Sequence, residues 1–474
     1  MPILVLLGLG VSLSWLQQPL WVLPSASRWD GLSAAVAYVA ITAALSGLCG
    51  RLSLLWARRA GGEISRTLLR RHNAMGLAIQ GWMILGLVGV MGCGYRELIV
   101  ASALVRVPLM GELAAAGPFV AALILHWLLE YPFYRLSRRQ VAQSLADSGQ
   151  GRIGLWTRRQ WLTYNIRHNL LFIAAPVALI VLGTDTFTLA FSRWLAPHLP
   201  ASQHPAWITG GVLAIAAAVF IISPLLIVRI WQTCPLPPGP LREELEDVCR
   251  RLRLTHRGLR VWESGNAIAN AGVIGLSGRV RYVLLSDSLL ANMDRRCVLA
   301  IFAHEAGHIL HHHIFYSVLF AGSTMVLCGW VGGTVADWLH LGDSAAEGLT
   351  VALLLAAWGI GFGKVSRLFE RQSDVTGAYL AGLEIEGGDR DDGRVSQEGA
   401  AVFAWALQRV ALLNGMSSHQ WNWRHGSIAQ RINYVLWLAG TGGQRRRIDR
   451  QVSGVKTLLW LAALTSAAIL MNEI

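Results

Sequence analysis

The sequence predicts a mainly α, polytopic membrane protein with about nine membrane-crossing helices and one small α+β domain. Three observations predict it. Of 474 residues, 54% are hydrophobic and only 15% are charged. The apolar residues gather into runs close to the roughly 20 that cross a bilayer as a helix. The basic residues alternate between the loops so defined, and the chain after residue 231 changes to charged-helix and strand-like patterns.

The expected spans are 3–22, 32–50, 75–95, 117–134, 168–190, 207–231, 315–338, 345–363 and 455–471. The stretch 97–116 is also apolar, but Arg96, Arg106 and Glu112 break it, so it reads as interfacial or re-entrant. Segments 51–74, 135–167, 229–314 and 364–456 hold 37 of the 41 Lys and Arg residues, leaving Arg28, Arg96, Arg106 and Arg193 on the alternate side. Positive charge collects in cytoplasmic loops, so the N-terminus is expected in the cytoplasm. The first span has no basic leader and no convincing cleavage site, and it reads as an anchor. The net charge of +13 is then a topological bias. It is not a nucleic-acid footprint, because the arginines are spread over separate loops without an accompanying motif.

Six cysteines, at 49, 93, 234, 249, 297 and 328, lack the short paired spacing of a thiolate site or a disulfide framework. Their spacing assigns them no chemistry. His126 and Glu130 lie in the fourth span, where they are costly in lipid and should face the bundle or snorkel from its end. The tryptophans cluster near span ends as an aromatic belt, and Glu384–Glu398 reads as an exposed loop.

Three parts follow in order: a transmembrane bundle over 1–231, a domain over 232–454 interrupted by a membrane hairpin at about 315–363, and a last helix over 455–474. Pro235-Leu236-Pro237-Pro238-Gly239-Pro240 marks the first boundary. A charged helix over 241–254 comes next, then strands over 268–276 and 280–286. Asp294 is the expected N-cap of a long helix.

That helix carries His304-Glu305-Ala306-Gly307-His308. Histidines at i and i+4 lie about 40° apart around a helix and about 6 Å along it, so both imidazoles reach one metal ion. Zn²⁺ brings bound water toward a pKa of about 7, and a carboxylate at Glu305 is placed to take its proton. A third donor is needed. Ten residues after the first histidine stands Ile314, and twenty after the second stands Cys328. Asp337, Asp343 and Glu347 fall at the far end of the hairpin, roughly 30 Å away across the bilayer. The first acids after the chain returns are Glu370 and Asp374, again i and i+4, so one can bind metal while the other holds a ligand histidine. An ion-paired solvated face with Arg367 and Arg371 is the competing reading.

At these residues the chain resembles the membrane-bound M48 zinc metallopeptidases of the HtpX-like and Ste24-like kinds. The resemblance covers about 236–436. It rests on Asn270-Ala271, on Arg281 to Leu290, on the His-Glu-x-x-His, on Glu370-x-x-x-Asp374 with Ala378, and on Trp423-Arg424-His425 before Gln430-Arg431-Ile432. It implies a gluzincin-type domain at the cytoplasmic face and one zinc ion per chain held by His304, His308 and Glu370. By the same resemblance Glu305 is the general base, Asp374 orients a ligand, His425 stabilises the oxyanion, and the strand at Asn270 and Ala271 binds substrate. The family usually has proline after the late histidine, whereas Gly426 follows His425 here. His311, His312 and His313 read as interfacial residues where the ligand helix meets the membrane surface.

The expected function is an integral membrane zinc endopeptidase acting on membrane or membrane-proximal proteins, with protein quality control as the expected role. Its partners are a protein or peptide substrate and the lipid bilayer, with no nucleic acid. The Arg-rich composition points to a bacterial inner membrane. CAAX-type processing of prenylated peptides and a sensor that cleaves a single partner are the alternatives.

Overall fold

A computed structural model describes residues 2–17, 27–386 and 393–473. The chain forms two compact units, one of residues 1–149 and 154–232, the other of residues 150–153 and 233–474.

The first unit is all helix: α1 Pro2–Gln17, α2 Arg28–Arg59, α3 Arg66–Val90, α4 Arg96–Val100, α5 Met110–Asp147, α6 Arg158–Asn165, α7 Phe172–Ala190 and α8 His204–Ile230. Ser27 and Asp30 form a capping box at the start of α2, and Gly61 and Gly62, at φ +72° and +90°, let the chain reverse before α3. Tyr38, Met83, Leu87, Phe119, Leu123 and Trp127 make the core between α2, α3 and α5. The apolar stretch after Arg96 does not span. It folds as α4, a 3₁₀ turn at Ala103–Arg106 and a left-handed Leu109 before α5 begins.

Among the described residues eight helices are long and apolar enough to cross a membrane, five in this unit and three in the second. The expected first span corresponds to α1, a shorter apolar helix over Ile3–Gln17. Residues 18–22 of that span lie outside the described residues.

The second unit adds β1 Thr233–Pro235, α9 Pro240–Arg251, β2 Gly258–Trp262, β3 Ala271–Ile274, β4 Tyr282–Ser286 and α10 Asp287–Asn292. The sheet order is β1-β2-β4-β3, with β2 and β4 parallel and the other pairs antiparallel. Every residue of β4 is buried, whereas β3 is an edge. The expected strands appear as β3 and β4. β2 escaped the sequence reading because Arg260 interrupts a run of only five residues.

Helices α11 Arg295–Leu310, α12 His313–Trp338, α13 Asp343–Ala356, α14 Gly363–Glu386, α15 Gln397–Leu413, α16 Ile428–Gly440 and α17 Arg446–Glu473 complete the unit. Asp294 caps α11, accepting from the Cys297 amide at 2.9 Å. A left-handed His312, at φ +54°, separates α11 from α12, so the three histidines do not prolong the ligand helix. α13 continues through a π-helical turn at Ala357–Phe362 into α14, which makes the returning span and the helix bearing Glu370 one rod. Phe320, Phe362 and Leu459 pack α12, the start of α14 and α17 together. Of the expected loop over 384–398, residues 387–392 lie outside the described residues.

Candidate metal centre

Two glycines allow α11 and α14 to approach closely. A Cβ at Gly307 would lie 3.0 Å from the Cα of Ser373, and one at Gly377 would lie 3.1 Å from the carbonyl of Ala300. The crossing therefore falls beside His304 and His308 on one helix and Glu370 and Asp374 on the other. His304 Nε2 and His308 Nε2 are 3.3 Å apart. Glu370 Oε2 is 3.7 Å from the first and Oε1 is 3.6 Å from the second. Metal–donor bonds of about 2.1 Å at tetrahedral angles give donor–donor edges of about 3.4 Å. The two nitrogens stand near the edge length of a zinc tetrahedron and each faces one oxygen of the Glu370 carboxylate at a similar distance, and their chemistry, two imidazoles and a carboxylate, suits that ion.

Asp374 does not join this cluster. It is fully buried, with Oδ1 3.0 Å from His304 Nδ1, off the ideal hydrogen-bond direction. Arg431 grips it with two bonds, Nε at 2.9 Å and a terminal nitrogen at 2.6 Å, and the same nitrogen lies 3.4 Å from Glu370. Burial opposes charge on His304, and the Asp374 carboxylate outweighs it, so the histidine's pKa is raised. Burial likewise opposes charge on Arg431, which Asp374 and Glu370 outweigh. The guanidinium neutralises two acids that could not share this space alone.

His308 is oriented by a second chain of bonds. Gln372 Nε2 donates to Asp449 at 2.7 Å, which turns its carbonyl oxygen toward His313 Nε2 at 2.9 Å. His313 Nε2 must then carry the proton, leaving Nδ1 as an acceptor 3.0 Å from His308 Nδ1. His308 donates through Nδ1, so the Nε2 that faces the cluster holds a bare lone pair. Burial holds the His308 pKa down at about 3, keeping that lone pair available. His313 is 2% exposed and stacks on Phe369, so the interfacial reading of this residue is corrected. Arg431 and the Gln372–Asp449 pair were also missed. Their partners are remote in sequence, 57 residues for Arg431 to Asp374 and 77 for Gln372 to Asp449.

Glu305 is half-buried beside His304, Glu370, Arg431 and His425, and burial raises its carboxyl above the usual range. His425 stands at the rim, 43% exposed, with Nδ1 2.8 Å from Glu370 Oε1. Its loop is anchored on α14, where Arg367 donates to the Trp423 carbonyl at 2.5 Å. Asn422 Oδ1 accepts from the amides of Arg424 and His425. Gly426 has φ +73°, which proline cannot adopt, so this loop explains the departure from the family pattern. Ser427 then caps α16 in a capping box with Gln430.

Ala271 opens the edge strand β3, against which α11 packs, and Asn270 immediately precedes it. The Ala271 side is buried against the sheet while Asn270 is exposed.

The chain is similar to known proteins. Residues 235–389 match the model of peptidase family M48. The chain is 27% identical over 267 residues to a protein described as a protease HtpX homolog from Pyrobaculum calidifontis, covering 54% of this chain and 72% of that one. A second protease HtpX homolog, from Pyrobaculum aerophilum, is 27% identical over 272 residues with the same coverage. Among solved structures, Ste24p of S. mikatae aligns over 86% of this chain and 98% of its own at 14% identity and a TM-score of 0.48.

Proposed function

We propose, for a chain that belongs to peptidase family M48 through its residues 235–389, an integral membrane zinc endopeptidase that cleaves membrane or membrane-proximal proteins at the cytoplasmic face. The observation that carries the reading is the cluster of His304, His308 and Glu370, whose imidazole nitrogens are 3.3 Å apart with one Glu370 oxygen 3.7 Å from the first and the other 3.6 Å from the second. These three residues would hold the zinc ion. What zinc supplies when bound there is Lewis acidity toward the scissile carbonyl and toward water. Glu305, with its raised pKa, takes a proton from the attacking water and returns it to the leaving amine. His425, at the rim of the site beside Glu370, would direct a ring N–H to the oxyanion. Asp374 and Arg431 hold His304 and Glu370 in place. An extended substrate would add to the free edge of β3 at Asn270 and Ala271, presenting its backbone alongside α11.

The test compares wild-type protein with Glu305→Gln and Glu370→Ala for zinc content and for cleavage of unfolded casein. Glu305→Gln is expected to keep its zinc and lose about 10²- to 10⁴-fold in rate. Glu370→Ala is expected to lose zinc from this centre. A wild-type chain without zinc, or a Glu305→Gln chain of full activity, would overturn the mechanism. Zinc binding with cleavage of a prenylated CAAX peptide and not of casein would replace the broad substrate class by a narrow one.

A further inference from the structure

The first unit contains a second group of metal-ligating side chains, far from any short sequence spacing. Cys49 lies on α2, His72 on α3 and Glu130 on α5, and one donor atom from each falls within 4.8 Å of the others. The helices meet tightly here, since a Cβ at Gly50 would stand 3.0 Å from the carbonyl of Leu129. Cys49 Sγ is 3.8 Å from His72 Nδ1, and His72 Nε2 is 3.2 Å from Glu130 Oε2. Since each donor lies within 4.8 Å of both others, the three groups close a triangle and do not run in a line.

Such groups are costly in an apolar bundle unless they are paired or bind an ion. They are not fully paired. Glu130 Oε1 is buried without a hydrogen-bond partner. Around the triangle stand orienting hydroxyls. Ser53 Oγ is 2.9 Å from His72 Nδ1. Ser46 donates to the Thr42 carbonyl at 2.7 Å, so toward His126 Nδ1, at 2.9 Å, it can only accept. His126 therefore carries its proton on Nδ1 and leaves Nε2 bare, one turn from Glu130.

We propose that Cys49, His72 and Glu130 bind a second transition-metal ion of the zinc class, which ties α2, α3 and α5 together within the membrane. One thiolate, one imidazole and one carboxylate suit Zn²⁺ or Co²⁺ and not Mg²⁺ or Ca²⁺. A tetrahedral sulfur–nitrogen edge is about 3.6 Å, and one ring nitrogen of His72 lies within 4.8 Å of both the Cys49 and the Glu130 donor. A nucleophilic thiol fits the geometry less well, because Cys49 is 3% exposed and gives an acyl substrate no approach. Binding would displace the thiol proton, take up a lone pair of the neutral imidazole and engage the unpaired carboxylate oxygen.

The experiment loads the full-length chain with Co²⁺. Thiolate coordination gives a sulfur-to-cobalt charge-transfer band in the near ultraviolet, and the nitrogen and oxygen donors of the peptidase centre give none. The band is expected in wild type and in Glu370→Ala, and it is expected to vanish in Cys49→Ser and His72→Ala with helical circular dichroism retained. Zinc content should fall by one equivalent in Cys49→Ser. A chain with alanine at Cys93, Cys234, Cys249, Cys297 and Cys328 should keep the band, which decides the matter if Cys49→Ser fails to fold. A folded wild type without the band, or a band that survives Cys49→Ser, overturns the proposal. Because the band reads sulfur alone, this result is independent of whether the peptidase centre binds metal.

Discussion

The peptidase centre and the Cys49–His72–Glu130 group place the same kinds of side chain at similar spacing, yet they are held in different ways. At the first, two helices each supply an i,i+4 pair, and every donor has a fixed neighbour: Asp374 and Arg431 for His304 and Glu370, His313 and Gln372 for His308. At the second, three helices each supply one donor, serines do the orienting, and one carboxylate oxygen has no partner. Charged support lets a site keep several ionised groups in fixed roles, as hydrolysis needs. Hydroxyl support is enough for a site that only has to hold.

The largest effect that would test this contrast is loss of the arginine. Arg431→Met leaves Asp374 and Glu370 buried without their counter-charge and should cost about 3–5 kcal/mol of stability. Glu130→Gln, which removes a carboxylate that no arginine contacts among the described residues, should cost far less. Denaturant unfolding of both variants followed by circular dichroism makes the comparison, and equal losses would break it.

Next in size is His425→Ala. It should retain zinc and lose about 10²- to 10³-fold in kcat, as removal of one oxyanion donor does elsewhere. Steady-state peptide cleavage together with metal content separates this from a structural defect. His313→Leu comes third. With the partner of His308 gone, zinc affinity or activity should fall about 10- to 100-fold, measured by chelator competition. An unchanged affinity would show that the bond chain from Asp449 does not orient the donor. The smallest effect belongs to Ser427→Ala, which removes the α16 cap and should cost about 1 kcal/mol.

What was legible in the sequence follows from how local each signal is. Apolar runs near 20 residues made the membrane helices legible, because each is read within one segment. His304, His308, Glu370 and Asp374 were legible for the same reason, each pair being one helical turn. Arg431 could be quoted as part of a motif, but its grip on Asp374 crosses from α16 to α14 and has no local trace. His313 was misread because three adjacent histidines at a membrane edge look alike until the left-handed turn at His312 sends one of them inward. The Cys49 group was the least visible, since its donors sit on three separate spans without a shared period.

The rod formed by α13 and α14 has a consequence for how the protein is made. The two halves of the donor set are separated in the chain by the whole α12–α13 hairpin, so a nascent polypeptide that has emerged past His308 still lacks its third donor. Only when both hairpin helices have entered the bilayer and run antiparallel does α14 bring Glu370 back to α11. The cluster of His304, His308 and Glu370 is therefore complete only when the hairpin is folded.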